Sequence, residues 1–118
     1  MKLNNIMVCE IITTVHKLGE GKYSLEDLHS QPLLEKYQHQ ELLETLDMMI
    51  FLQLLIGERM NRFNFENVSI KCLHLYGFEI ARVLDSELPR LELEGFVKRN
   101  PDFTVVDVHE KAREILKR

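Results

Sequence analysis

The chain of 118 residues has only two cysteines, no long apolar run and no excess of basic residues, and each shortage removes a class of protein. Cys9 and Cys72 lie far apart and inside apolar stretches, which reads as buried free thiols rather than a disulfide framework or a Cys-x-x-Cys site. A reducing compartment fits them. The most apolar segment, residues 48–56, includes Gln53 and is about half as long as a membrane-spanning helix. Lys2 is followed by Asn4 and Asn5, with no apolar run of signal-peptide length and no small-residue cleavage site, so a cytoplasmic protein without a membrane partner is expected. Lysine and arginine number 15 against 19 acids, a formal net charge of −4. Domains that hold phosphates usually carry excess base, so any binding to nucleic acid would have to rest on local charge.

What is present is an ordinary globular composition, 45% apolar and 29% charged, far from the regime of disordered chains. The length suits one hydrophobic core, and no Pro/Gly/Ser-rich linker divides it, so residues 1–118 are expected to form a single domain. Ile6, Ile11, Ile12, Val15 and Leu18 recur at helical spacing up to the break at Gly19 and Gly21. Ser24 followed by Asp27 predicts the capped start of a short second helix that carries Leu25 and Leu28 inward. Pro32 interrupts, and a third helix is predicted from about Gln38 through Leu42, Leu43, Leu46, Met49 and Ile50. Leu54-Leu55-Ile56, a polar segment from Gly57 to Arg62, and Phe63-Asn64-Phe65 then predict a hairpin. A fourth helix is expected from near Tyr76 through Leu84, resuming at Pro89 through Glu94, with Leu88, Leu91 and Phe96 continuing an apolar stripe and Gly95 ending it. A second hairpin, from Phe96 to Val106 around Asn100-Pro101-Asp102, and a last helix from Glu110 to Lys117 complete the expectation. The fold class is therefore mainly α with small β-hairpins. Three helices and a hairpin in that order describe a winged-helix-like domain, core about 1–76, with a helix–hairpin–helix C-terminal extension at about 77–118.

The segment from Leu88 to Arg99, LPRLELEGFVKR, resembles the end of a recognition helix and the start of a wing in bacterial winged-helix regulators, whose pattern there is Leu-x-x-Leu-Glu-x-x-Gly-hydrophobic-Val-x-Arg. Those proteins often leave the wing through Leu-Thr-x-x-Gly. Val108-His109-Glu110-Lys111-Ala112 is similar to that element with His for Thr and Ala for Gly, and Leu73-His74-Leu75-Tyr76-Gly77 is a second copy after the first hairpin. The resemblance covers roughly residues 40–118 and implies a transcription regulator whose helix enters the major groove of duplex DNA while its wings touch the backbone.

Motifs for catalysis are lacking. His16, His29, His39, His74 and His109 form no His-x-x-x-His pair and have no cysteine at zinc spacing, so no metal is expected. His74 and His109 read as helix-start residues, and His29 and His39 as polar surface. Asp85, Glu87, Glu92 and Glu94 are spaced as a solvated helix face. Gly19-Glu20-Gly21 lacks the third glycine of a dinucleotide loop and reads as a turn; no Gly-x-Ser-x-Gly elbow occurs. Met48 and Met49 read as core. A protein that binds without catalysis or cofactor is expected.

Two readings of the partner follow. For duplex DNA the candidate contacts are Arg59 and Arg62 in the first proposed wing, Lys98 and Arg99 at the second, and Gln38 and Gln40 on the third helix, since glutamine can read adenine. Lys111, Arg113, Lys117 and Arg118 add base near the C-terminus. Glu41, Glu44 and Asp47 on that third helix oppose phosphates, and residues 87–94 are acidic apart from Arg90. The alternative is a winged-helix module for protein association or homodimerisation, anchored by exposed apolar residues near Tyr76, Phe78 and Phe96, in which an acidic face steers a basic partner.

Overall fold

The computed structural model describes residues 3–60 and 67–117, which form six helices and three short strands. Helix α1 spans Asn5–Leu18 and starts where the Asn4 side chain accepts the backbone N–H groups of Ile6 and Met7, at 3.0 and 3.2 Å. It ends at Gly19, whose φ of 78° places the chain in the region that costs glycine least. Strand β1, Tyr23–Ser24, leads directly into α2, Leu25–His29. The expected cap is reciprocal: the Asp27 N–H donates to Ser24 Oγ at 3.1 Å and the Ser24 N–H donates to Asp27 Oδ2 at 2.9 Å. Leu25 and Leu28 are fully buried beneath it. After a turn through Pro32, α3 spans His39–Phe51 and buries Leu42, Leu43, Leu46 and Met49 at helical spacing.

Strands β2, Leu55–Glu58, and β3, Ser69–Leu73, pair antiparallel, with Leu55 opposite Leu73 and an irregularity between Ile56 and Gly57. β1 pairs with the other edge of β3, giving the order β1-β3-β2. The first hairpin is present, but its returning strand is Ser69–Leu73; Phe63-Asn64-Phe65, expected to return, lies outside the described residues. Ile70 and Leu73 on β3 are both buried although an odd number of residues apart, and the pairing passes over Lys71 between them at that irregularity.

The last third departs from the sequence expectation. Helix α4 spans Leu75–Leu84, α5 Glu87–Arg99 and α6 Val105–Leu116, so the segment from Phe96 to Val106 is the end of one helix, a tight turn and the start of the next, not a second hairpin. Gly95 does not end α5, because Leu93 and Val97, one turn apart, both bury their side chains and carry the helix past it. Helix α6 begins five residues before the expected Glu110. Thr104 and Asp107 form a second reciprocal cap there, with the Thr104 N–H donating to Asp107 Oδ2 at 2.9 Å and the Asp107 N–H to Thr104 Oγ1 at 3.3 Å. His74 is a helix-start residue as expected: its Nδ1 accepts the Leu75 N–H at 2.8 Å. His109 is not; it lies inside α6.

α1 packs against β3, α4 and α5, and one cluster of buried apolar residues runs from Met7 to Ile115. Gly77 permits the junction of α4 with the sheet, since a Cβ there would collide with the carbonyl oxygen of Leu54. The Asn5 amide, donating to the Phe103 carbonyl, ties the start of α1 to the turn between α5 and α6. Among the described residues no helix is long and apolar enough to cross a membrane.

Candidate functional site

Arg59 and Asp47 are brought together across twelve residues of sequence. Asp47 is nearly buried on α3 and accepts Arg59 Nε at 3.2 Å, Arg59 Nη2 at 2.9 Å and the Met60 backbone N–H at 2.9 Å. The hydrogen bonds from Arg59 hold the Asp47 carboxyl below the usual carboxylate range; burial opposes this and the Met60 N–H and the guanidinium charge reinforce it. The same guanidinium sits 4.9 Å from the centre of the Phe51 ring. Arg59 is thus a clasp between β2 and α3, with both of its bonded nitrogens aimed at protein. Asp47, read from sequence as an exposed acid opposing phosphate, is its buried partner. Arg62 lies outside the described residues.

Lys98 and Arg99 are exposed in the last turn of α5, where base complements the helix dipole, and not on a hairpin. Gln38 is the exposed residue before α3 and makes no side-chain cap bond; Gln40 Nε2 donates to Glu44 Oε1 at 3.0 Å. With Glu41 exposed beside them, the open face at the start of α3 carries amides and carboxylates.

The three apolar candidates do not share a patch. Tyr76 stands 4.6 Å from the His109 ring, between α4 and α6, whereas Phe78, two residues on, points to another side of α4 and is 48% exposed. Phe96 is partly buried against the core, edge-on to Phe103 at 5.5 Å, with Lys111 Nζ 5.6 Å from its ring centre. It is a packing residue. Other large apolar side chains of the last three helices reach solvent, with Leu75 on α4 at 60%, Leu88 and Leu91 on α5 at 79% and 52%, and Val106 on α6 at 57%.

Two polar clusters join elements. His109 Nε2 lies 2.7 Å from Glu79 Oε2, which also forms an ion pair with Arg113 Nε at 3.4 Å, tying α6 to α4. On the opposite side Glu10 accepts Lys36 Nζ at 2.7 Å and the Tyr37 hydroxyl, anchoring the 31–37 turn to α1; burial, then that hydrogen bond, pushes the Tyr37 hydroxyl above its ordinary range. Between α1, this turn, α4 and α5 lies an open groove of about 730 Å³, with Ile6, Leu33, Leu84 and Val97 among its apolar walls and Glu10, Lys36, Arg90 and Glu94 on its rim. Cys9 reaches its floor. Burial, with the Glu94 and Glu10 carboxylates nearby, pushes that thiol up to about 12, so it is held as the protonated, weakly nucleophilic form. Among the described residues no group of three or more His, Cys, Asp or Glu side chains is arranged to hold a metal ion.

No family model matches the chain, and neither the curated proteins nor the solved structures compared with it yield a match.

Proposed function

We propose that the chain is a winged-helix-like module that works by docking on another protein, without catalysis and without a cofactor, in the cytoplasm. The order helix, strand, two helices and hairpin, closed by a β1-β3-β2 sheet, supports the winged-helix reading, with α4 to α6 as an all-helical extension. Two free cysteines suit a reducing compartment. The observation that carries the choice of partner is the outer surface of α4 and α5, where Leu75, Phe78, Leu88 and Leu91 stand in solvent, each about half exposed or more. Scattered single apolar residues need no explanation, but these stand in pairs three residues apart on the open side of each helix, Leu75 with Phe78 and Leu88 with Leu91, and such apolar stripes suit contact with a protein better than contact with phosphates.

Duplex DNA is the second reading, favoured by the place of α3 just before the hairpin and by the open side chain of Gln38 at its start. Against it stand Glu41 and Glu44 on the same helix and the engagement of Arg59 by Asp47. Fluorescence anisotropy with duplex DNA over a salt series separates the two, using the wild type and an Arg59, Arg62, Lys98, Arg99 quadruple alanine variant. The protein reading expects negligible binding by both at low salt. Binding that weakens with salt, with a slope about one unit shallower for each phosphate that the variant no longer neutralises, would establish the DNA reading instead.

A further inference from the structure

We propose that the partner of α5 is a second copy of this chain, the two helices pairing antiparallel through their outer faces about a twofold axis. This rests on the reading of the module as one that acts by protein association. Helix α5 has two apolar stripes. Leu93 and Val97 face the core, whereas Leu88 and Leu91 face solvent. At about 100° per residue, Glu87, Leu91, Gly95 and Lys98 share that outward side with Leu88 at its edge.

The ends of this face have opposite sign. Glu87 sits in the first turn, Lys98 and Arg99 in the last. A parallel pair would set Glu87 beside Glu87 and Lys98 beside Lys98. An antiparallel pair sets each Glu87 beside the Lys98 of the other copy and opposes the two helix dipoles favourably. In that register Leu91 of each copy comes within one residue of the level of the other's Gly95, where the missing side chain lets the backbones approach. The contact is self-complementary, as a twofold interface requires. In the single chain Arg99 Nη1 lies 3.1 Å from where a Gly95 Cβ would stand; it is the end of a flexible side chain, and swinging it toward the acidic end of the second copy uncovers the glycine. The outer face of α4 lacks this symmetry, because Arg82 and the neighbouring Asp85 sit at the same end and Glu79 is held by His109 and Arg113.

A helix of 13 residues spans about 20 Å, so α5 alone buries an area at the small end of specific interfaces and the dimer is a reversible one. Analytical ultracentrifugation of the full chain from about 1 to 500 µM tests it, a range set to bracket micromolar association. The wild type is expected to shift from monomer to dimer. Leu88→Gln with Leu91→Gln removes only solvent-facing side chains, and should weaken dimerisation at least tenfold with unchanged circular dichroism and thermal midpoint. Glu87→Lys and Lys98→Glu should each weaken it severalfold, and the two together should restore it to within about twofold, because each dimer contains the swapped pair twice. A wild type that stays monomeric, a dimer indifferent to the double glutamine variant, or a charge swap that fails to rescue would each overturn the proposal. These outcomes are independent of the duplex titration. A monomer that also ignores DNA loses α5 pairing and keeps the protein-association reading, whereas salt-dependent DNA binding removes that reading whatever the oligomeric state.

Discussion

Asp47 shows how one residue changes meaning between sequence and structure. Among Glu41, Glu44 and Asp47 it reads as one more solvated carboxylate on a helix, and Arg59 reads as a free cation at a hairpin. Neither role is visible without the turn of chain that lays β2 against the end of α3 and brings Met60 within 2.9 Å of the same carboxylate. Asp47→Ala leaves the Met60 N–H and the guanidinium without their acceptor and is expected to cost on the order of 2 kcal/mol, read as a lower thermal midpoint at neutral pH. The Asp47 carboxyl is held below its ordinary value in the folded state. Its contribution is therefore fully present above the unfolded value, near 3.9, and disappears as pH falls through the lower folded value. The gap between wild type and variant should narrow below pH of about 4. A gap that is constant from pH 7 to 3 would show that the carboxylate charge contributes nothing. Cys9 offers a second test, since its thiol is raised to about 12 and 7% exposed. A disulfide reagent at pH 8 should modify one thiol per native chain, at Cys72, and the second only after denaturation; rapid modification of Cys9 in the native protein would contradict its burial.

Elements set by local chemistry were legible from the sequence: α1 with its glycine stop, α2 with its Ser24–Asp27 cap, and α3 with its apolar stripe. The second hairpin was not. Phe96-Val97 and Phe103 to Val106 look like alternating strands around Asn100-Pro101-Asp102, but the first pair completes the inward face of α5 and the second opens α6 behind a Thr104 cap. Spacing alone does not separate two helix ends across a tight turn from a short hairpin. The site suffered from a related ambiguity. Leu88 and Leu91 fit a helical core stripe as well as Leu93 and Val97 do, and only tertiary packing decides which of the two stripes faces in. Glycines distinguish the packed ends from the open face. Gly77→Ala pushes a Cβ into the Leu54 carbonyl and should destabilise by more than about 2 kcal/mol, or displace α4 from β2. Gly95→Ala meets only the movable end of Arg99, and should raise the stability of dilute protein by up to about 1 kcal/mol through helix propensity. Urea midpoints that move the same way for both variants would refute this contrast.

At the scale of the whole molecule, the boundary drawn from sequence near residue 76 meets a helix that serves both sides of it. Residues Asn5, Met7, Val8, Cys9, Ile11, Ile12, Thr14 and Val15 are buried, and at about 100° per residue they occupy more than half of the circumference of α1. A helix that packs on one layer needs a narrower stripe. α1 is covered by β3 on one hand and by α4 and α5 on the other, and Asn5 reaches the turn at Phe103. Removing residues 77–118 would strip Ile80, Ala81, Val83, Leu84, Leu93 and Val97 from the cluster and open one flank of α1 to water, although all three strands would remain. Each large apolar side chain of α1 that is uncovered costs roughly 1.5–3 kcal/mol, and a domain is stable by only about 5–15 kcal/mol, so exposing several of them is enough to unfold the remainder. The 1–76 fragment is therefore expected to lack a cooperative thermal transition and to give collapsed amide dispersion in a proton–nitrogen correlation spectrum, while the full chain unfolds in one step. A fragment with native-like dispersion and its own sharp transition would make α4 to α6 a separable appendage. It would also show that the outward face of α5 is mounted on a unit that can move independently of the first three helices.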